Sequence, residues 1–150
     1  MINPDRQGHQ YPPAAPYQVS REAIREFAQA VKATHPAHHE LEAAQALGHR
    51  DLVAPPSFAV IIAQRAEAAV VNDAEAGIDF SRVVHADERF THQHPILAGD
   101  TLEAQVTLER IRTMGAGAMV TTRVEISGAD GEPRATVTSS LLVRTEEDSA

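Results

Sequence analysis

Histidine is the residue type whose placement in this sequence most readily suggests chemistry. Five of the eight imidazoles form two groups, one in a short proline-containing loop and one on a single face of a predicted strand: His35, His38 and His39, then His92 and His94. Because imidazole titrates near neutral pH, each is a candidate general base, and members of both groups could in principle hold zinc. No carboxylate set accompanies them at a recognisable ligand spacing. We therefore expect no metal site, and we interpret most of these histidines as exposed loop, cap or strand residues.

A second arrangement that could transfer protons is His85 with Asp87, two positions apart in a segment with strand character. Alternate residues of a strand share a face, so the two side chains could form an acid–base pair. A solvated strand face is the simpler interpretation, and the sequence favours it. Asp100, directly after Gly99, is expected to shape the turn into the next strand and not to act in catalysis.

The turn Pro55-Pro56-Ser57-Phe58 suggests a site of another kind, made from backbone groups. Proline is favoured in the first turn of a helix, and Ser57 can cap the helix that follows. The first N–H groups of a helix have no intrahelical acceptor, so those of Ser57, Phe58 and Ala59 could hold a carbonyl oxygen. Any helix start offers the same groups, and the sequence does not decide between the two interpretations.

Three predicted helices precede the strands and would position these groups. An amphipathic helix begins after Ser20 and ends near residues 33–34, and a shorter helix covers about residues 39–47. The third, residues 57–71, is apolar on every side over its first two turns, which is typical of a buried helix. We expect its C-terminal half to emerge from the core, because polar residues occur there: Gln64, Arg65 and Glu67.

Strand character dominates from residue 82 onward. Apolar and polar residues alternate over three long segments joined by glycine-containing loops, which predicts antiparallel hairpins: residues 101–111, 118–127 and 134–144. A less regular strand precedes them at residues 83–92, and a short edge strand is expected near residues 17–19. The buried helix must then lie along the concave face of a curled sheet, so the predicted fold class is α+β.

Composition limits the possible functions. The chain has 150 residues, which fits one domain, 1–150, with weakly ordered tails at about 1–14 and 145–150. The absence of cysteine excludes disulfides, a thiolate zinc site and a thiol nucleophile. A net charge of -8 argues against nonspecific nucleic-acid binding, and no apolar run is long enough for membrane insertion. Without a recognisable secretory signal, we expect a cytoplasmic protein.

The predicted layout resembles the hot-dog fold, a curved antiparallel sheet wrapped around one long helix. Residues 90–111, FTHQHPILAGDTLEAQVTLERI, resemble the segment of MaoC-like hydratases that leads into the third strand. Further segments resemble the actinobacterial MaoC-like dehydratase N-terminal family: YPPAAPYQVSREAIREFAQAV, AAQALGHRDLVAPPSF, DFSRVVHADERF and HPILAGDTL. That family includes the A and C subunits of the mycobacterial (3R)-hydroxyacyl-carrier-protein dehydratase.

The resemblance also identifies a departure from the hydratase pattern. R-specific hydratases carry Asp, any residue, Asn, Pro, any residue, His, and their Asp and His form the acid–base pair. The matching segment here is Ala33-Thr34-His35-Pro36-Ala37-His38, with Ala44 as the small residue six positions later. His38 occupies the place of the catalytic histidine, but Ala33 replaces the aspartate. Alanine can neither give nor accept a proton, so we expect little independent catalysis.

The resemblance therefore implies a catalytically degenerate subunit of a (3R)-hydroxyacyl-thioester dehydratase in fatty-acid metabolism. A separate B-type hydratase subunit would supply the Asp–His pair in a heterodimer, although a homodimer is also compatible with the sequence. The substrate would be an acyl-carrier-protein or acyl-CoA thioester, with no cofactor. The substrate-binding residues implied lie at the start of the buried helix and on its small aliphatic face: Pro56, Ser57, Phe58, Ala59, Ile62 and Ala63.

Two other functions stay open at this point. The missing aspartate is also compatible with a non-catalytic module that binds acyl thioesters or carrier proteins. A hot-dog thioesterase is less favoured, because that chemistry usually places a carboxylate opposite the start of the helix. Here the buried helix offers only Glu67, about ten residues further along.

Overall fold

A computed structural model describes residues 1–144, which form three helices and five strands. The helices are α1 (Arg21–Ala30), α2 (Leu41–Ala46) and α3 (Ala59–Val71). The strands are β1 (Tyr17–Gln18), β2 (Val83–His92), β3 (Thr101–Met114), β4 (Gly117–Gly128) and β5 (Pro133–Arg144). Short 3-10 turns at Pro36–His38 and Pro56–Phe58 precede α2 and α3.

All five strands belong to one antiparallel sheet in the order β1-β3-β4-β5-β2. The segments β3, β4 and β5 are joined as hairpins, whereas β2 pairs with the far side of β5 and forms an edge. One face of β3 to β5 is buried at alternate positions, and α3 packs against this face. The predicted α+β architecture, with a curved sheet around a buried helix, is confirmed.

Small aliphatic side chains let α3 approach the sheet closely. Its buried residues are Ala59, Ile62, Ala63, Ala66 and Val70. Alanine leaves little distance between the helix backbone and the sheet, so the valines and leucines of β3 to β5 fill the remaining space. The largest fully buried side chain, Phe58, lies immediately before α3. The chain thus forms its core with few aromatic residues.

The helices of the first third of the chain are shorter than predicted. The Ser20 hydroxyl accepts a hydrogen bond from the N–H of Ala23 at 3.0 Å, so the predicted cap of α1 is confirmed. The helix ends at Ala30, because Lys32 takes a left-handed conformation with φ 59° that a helix cannot continue through. The second predicted helix, residues 39–47, is longer than α2, which covers only Leu41–Ala46.

The prediction that the C-terminal half of α3 emerges from the core holds for one face of the helix, where Gln64, Arg65 and Ala68 are exposed, but not for Glu67. Ala66 and Val70 are buried, and Glu67 is only partly exposed. The helix follows the concave face over its full length, so Glu67 points at the sheet where Thr122 and Ser139 interrupt the apolar pattern. Its carboxylate therefore lies between the helix and two buried hydroxyl groups.

The N-terminal segment packs against β3, although its composition suggested weak order for residues 1–14. Ile2 and Tyr11 are buried, and the N–H of Tyr11 donates to the carbonyl of Val106 at 3.0 Å. The Tyr11 hydroxyl and the Arg6 guanidinium both donate to Asp73, just beyond α3, at 2.6 and 2.7 Å. These contacts join the segment to the C-terminal end of α3. The other predicted tail, 145–150, lies outside the described residues.

Strand β2 contains a bulge that changes which side chains share a face. The register with β5 shifts between His85 and Asp87, so that His85 pairs with Leu141 and Glu88 with Ser139. His85 and Glu88 consequently lie on the same side of the sheet as those two buried residues. Asp87 is exposed, and the interpretation of His85 and Asp87 as a pair on one face does not hold.

Candidate functional site

A 3-10 turn, Pro56–Phe58, leads into α3 and changes the backbone site expected there. The N–H of Phe58 donates to the carbonyl of Pro55 at 2.9 Å, and the N–H of Ala59 is directed to the carbonyl of Ser57. Two of the three N–H groups predicted to be free thus have acceptors, because the tighter turn pairs donors that an α-helix would leave unpaired. A carbonyl oxygen at this position would meet chiefly the Ser57 group.

The residues predicted to bind substrate divide into an accessible pair and a buried set. Pro56 is exposed and Ser57 partly exposed, at the entrance to the helix. Four others belong to the core: Phe58, Ala59, Ile62 and Ala63. The ring of Phe58 contacts the rings of Phe27 and Tyr17 edge-on, with centroids 5.5 and 6.4 Å apart. These contacts anchor the helix start against α1 and β1.

His38 is held in a defined orientation next to this turn. Its Nδ1 lies 2.6 Å from the carbonyl oxygen of Val53, two residues before Pro55. A carbonyl can only accept, so Nδ1 donates in this contact, and in a neutral imidazole Nε2 is then the nitrogen with the free lone pair. Among residues 1–144 no hydrogen-bond partner engages Nε2. An imidazole in this state can accept one proton.

Neighbouring imidazoles have structural roles in the same loop. Nδ1 of His35 accepts from the N–H of Ala37 at 3.1 Å, and Nε2 of His39 donates to the carbonyl of Ala33 at 2.9 Å. The methyl side chain of Ala33 offers no carboxylate near His38, so the aspartate of the hydratase pattern has no counterpart at this position.

His92 joins the edge strand to the start of α3. Its Nε2 donates to the carbonyl of Pro56 at 2.9 Å, whereas Nε2 of His94 contacts Glu132 at 3.0 Å on the surface. The two imidazoles thus have different partners. Within the described part of the chain, no group of three or more His, Asp or Glu residues is placed to hold a metal ion.

Asp100 forms a clamp beneath the turn that leads into β3. The carboxylate accepts from Arg134 at 2.6 Å, Arg50 at 2.9 Å and the N–H of Leu97 at 2.8 Å. Burial alone would raise the pKa of Asp100, but the hydrogen bonds from Arg134, Leu97 and Arg50 outweigh it and hold the pKa below its ordinary value. The carboxylate is fully engaged, which agrees with the turn-shaping role expected from the sequence.

A cluster that the sequence did not predict lies beneath the second half of α3. Glu67 Oε1 accepts from the hydroxyls of Thr122 at 3.2 Å and Ser139 at 3.0 Å, and both hydroxyl residues are almost completely buried. Ser139 Oγ is also 2.9 Å from Glu88 Oε1, and His85 Nε2 is 3.4 Å from Glu88 Oε2. We call these five residues the Glu67 cluster.

The cluster places two carboxyl groups around one hydroxyl. Burial raises the pKa of Glu67 above its ordinary value, and the Glu88 carboxylate adds to this effect. Hydrogen bonds from Ser139 and Thr122 act in the opposite direction. One sequence signal was available, because Thr122 and Ser139 are polar at positions where the alternation of β4 and β5 predicts buried side chains.

A cavity of about 330 Å³ lies beside the Glu67 cluster. Its walls combine apolar and polar side chains: Val70, Phe80 and Leu141 with Glu67, His85 and Thr122. A larger cavity, of about 440 Å³, lies between the N-terminus and the end of β5 and includes Met1, Asp79 and Arg144. That cavity touches neither His38 nor the Glu67 cluster.

Comparison with known proteins identifies the relatives of this chain. The family described as FAS1-like, dehydratase domain region, matches residues 6–137. A UPF0336 protein of Leifsonia xyli is 48% identical over 146 residues, covering 97% of this chain and 98% of its own.

Solved structures extend the comparison to proteins of stated activity. The C-terminally truncated HadBC (3R-hydroxyacyl-ACP dehydratase) complex from Mycobacterium tuberculosis matches with 35% identity and a TM-score of 0.82, over 92% of this chain and 97% of that one. A MaoC-like dehydratase matches with 32% identity and a TM-score of 0.85, over 93% of this chain and 42% of that one. The resemblance to MaoC-like dehydratases is thereby confirmed.

Hot-dog proteins are among the solved structures that match, so the hot-dog fold expected from the sequence is confirmed as well. Among the helices of residues 1–144, none is both long enough and apolar enough to cross a membrane.

Proposed function

Because this chain belongs to the FAS1-like dehydratase-domain family, we propose that it is a subunit of a (3R)-hydroxyacyl-thioester dehydratase in cytoplasmic fatty-acid metabolism. In this role it binds the acyl chain of an acyl-carrier-protein or acyl-CoA thioester. A separate B-type hydratase subunit contributes the catalytic Asp–His pair. The observation that carries the proposal is an oriented His38 with alanine, at residue 33, in the place of the family's aspartate.

The imidazole of His38 supports a limited role for this chain in the reaction itself. Reversible loss of water from a hydroxyacyl thioester needs one group to take the proton next to the carbonyl and another to handle the leaving hydroxyl. Nε2 of His38 is available for one of these transfers. Ala33 cannot perform the other, so a complete reaction requires a group from elsewhere.

The position of the helix start supports thioester binding nearby. One short stretch, residues 53–56, accepts hydrogen bonds from two imidazoles, His38 at Val53 and His92 at Pro56. These contacts fix the turn next to the exposed Pro56 and the partly exposed Ser57. A thioester carbonyl at Ser57 would lie close to His38, with the small residues Ala59 and Ala63 further along the helix.

The outer edge of β2 supports assembly with a second hot-dog chain. This strand is a sheet edge, and an unpaired edge favours association with another strand. Val84 on β2 and Val71 at the end of α3 are 54% and 48% exposed, so both are available for contact with a second chain. The matching HadBC dehydratase is described as a complex, which supports a heterodimer, and a homodimer uses the same edge.

The proposal is tested by an enoyl hydration assay on crotonyl and longer enoyl thioesters. The purified chain alone should show little activity, and addition of a hot-dog hydratase subunit that carries the intact Asp-Asn-Pro-His motif should produce it. Strong activity of the chain alone, abolished by His38→Ala but retained by the surface variant His94→Ala, would overturn the division of labour.

A second candidate is a non-catalytic module that binds acyl thioesters or carrier proteins. Ala33 favours it, because the chain lacks the carboxylate that catalysis needs. Binding of acyl-CoA or acyl carrier protein without turnover, in combination with every hydratase subunit tried, would support this function over the first.

A further inference from the structure

The Glu67 cluster has more hydrogen-bond acceptors than donors. Two carboxyl groups present four oxygens, whereas the buried donors facing them are the single hydroxyl hydrogens of Thr122 and Ser139. The Ser139 hydroxyl can donate to Glu67 or to Glu88 at any moment, but not to both. The cluster is therefore ready to accept a further donor.

Two oxygens in particular lack a donor. Oε2 of Glu88 is buried without a hydrogen-bond partner among the described residues, and its contact with His85 Nε2, at 3.4 Å, is longer than an ordinary hydrogen bond. Oε2 of Glu67 also has no hydrogen-bond partner within residues 1–144, and the Glu67 side chain lines the cavity. A group that enters the cavity thus meets an acceptor.

The cavity suits a largely aliphatic ligand with one donating group. Its volume of about 330 Å³ falls in the lower range of small-molecule sites. Valine, leucine and phenylalanine side chains form its apolar walls, and its polar lining residues are Gln64, Glu67, His85 and Thr122. A buried hydroxyl without an acceptor would be costly, whereas Glu67 provides one here.

Strand β2 connects the cavity with the turn that precedes α3. His92, its last residue, bonds to the carbonyl of Pro56, and His85, near its beginning, lines the cavity. Glu67 is about 12 Å from Ala59, the first residue of α3, given the rise of about 1.5 Å per helical residue. An extended acyl chain whose carbonyl lies near Ser57 can therefore reach the cluster with its far part.

We propose that the cavity is a subsite for a hydroxyl group carried on the acyl chain, remote from the thioester, which donates a hydrogen bond to the Glu67 carboxylate. This inference rests on the proposed function, because it names a class of acyl thioester that the chain selects: long-chain hydroxyacyl thioesters over their unsubstituted counterparts.

The test measures binding of acyl-CoA pairs to the full chain by calorimetry, each pair differing only in a terminal hydroxyl. Octanoyl, decanoyl, dodecanoyl and tetradecanoyl pairs vary the reach. At the length that places the hydroxyl in the cavity, the hydroxylated ligand should bind about tenfold more tightly, since a hydrogen bond to a charged group has roughly that effect.

Variants separate this role of Glu67 from a structural one. Glu67→Gln keeps the shape and an acceptor for the buried hydroxyls but replaces one oxygen with a donor, so the hydroxyl preference should disappear while binding of the unsubstituted chains persists. Glu26→Gln, on the exposed face of α1 and away from the cavity, is the matched control and should retain the preference. Equal binding within every pair overturns the subsite and leaves the proposed function standing. Failure of all acyl thioesters to bind overturns both.

Discussion

A single side chain decides what this chain can do in the reaction. His38 has the orientation of a base, with Nδ1 donating to the Val53 carbonyl and Nε2 open, but no carboxylate stands where Ala33 does. The N–H of Ala33 donates to the carbonyl of Ala28, and the carbonyl of Ala33 accepts from His39. These contacts hold the loop that carries His38 in place. Under the proposed function, we therefore expect the chain to lack one functional group for catalysis and not the site itself.

Introducing the missing carboxylate at residue 33 should partly restore activity. The double substitution Ala33→Asp with His35→Asn reproduces the hydratase pattern around His38. We expect hydration of enoyl thioesters by the chain alone to rise about a hundredfold, within the range of an added general acid or base. Steady-state rates measure this.

The matched control adds His38→Ala to the same double variant, which should return the rate to the starting value. A double variant that folds normally and stays inactive would show that the Ala33 loop does not face the substrate.

At the scale of elements, the sequence predicted the strands better than the contacts between elements. Alternation alone located β3, β4 and β5, since buried positions alternate along β4 and β5, and along β3 as far as the bulge between Leu108 and Arg110. The bulge in β2 depends on its pairing with β5, which is distant in sequence, so His85 could not be matched with Glu88 in advance. The position of Glu67 was predicted wrongly for the same reason, because its partners Thr122 and Ser139 lie on β4 and β5, which are distant from α3 in sequence.

The N-terminal segment is another element held by contacts distant in sequence. Asp73, which follows α3, accepts from both Arg6 and Tyr11, and hydrogen bonding from Tyr11 and Arg6 lowers its pKa from 3.8 to about 2 despite partial burial. Burial and the hydrogen bond with Asp73 raise the pKa of Tyr11 to about 12. These shifts indicate that the ionised carboxylate fastens the segment to the end of the helix.

Asp73→Asn should therefore lower the free energy of unfolding near pH 7, by about 1–2 kcal/mol once screening by solvent is considered. A carboxyl whose pKa is depressed in the folded state stabilises the protein at pH values above the pKa of that carboxyl in the unfolded chain. This stabilisation is lost as the pH falls through the folded-state pKa. The difference from wild type should hold above pH 3.8 and shrink towards pH 2.

Urea unfolding at several pH values measures this difference. Asp5→Asn, an exposed neighbour in the same segment, should leave stability nearly unchanged at every pH. A difference between Asp73→Asn and wild type that stayed constant down to pH 2 would contradict the role given to the ionised carboxylate.

At the scale of the whole molecule, the incomplete acid–base pair and the open sheet edge point to assembly. The edge strand β2 carries both His92, which bonds to Pro56, and His85, which lines the cavity at the Glu67 cluster. A second hot-dog chain paired there would cover Val84 and Val71 and extend the sheet. Its own residues would then lie close to His92 and to the cavity at the Glu67 cluster.

Val84→Lys should weaken this pairing, because a charged side chain at a strand edge opposes association with another strand. Analytical ultracentrifugation, with the catalytic partner or with the chain alone if it self-associates, should show a shift towards the monomer. Met114→Lys, at an exposed apolar position at the end of β3, is the control and should not change the assembly. Unchanged assembly of Val84→Lys would exclude the β2 edge as the interface.

The account as a whole is tested most directly by titrating this chain into a fixed amount of a hydratase subunit that carries the intact Asp–His pair, with the rate of enoyl thioester hydration as the measured quantity. We predict negligible activity for this chain alone and a rate that rises with its concentration until the two subunits are equimolar. A full rate from this chain by itself, lost in His38→Ala, would contradict the account.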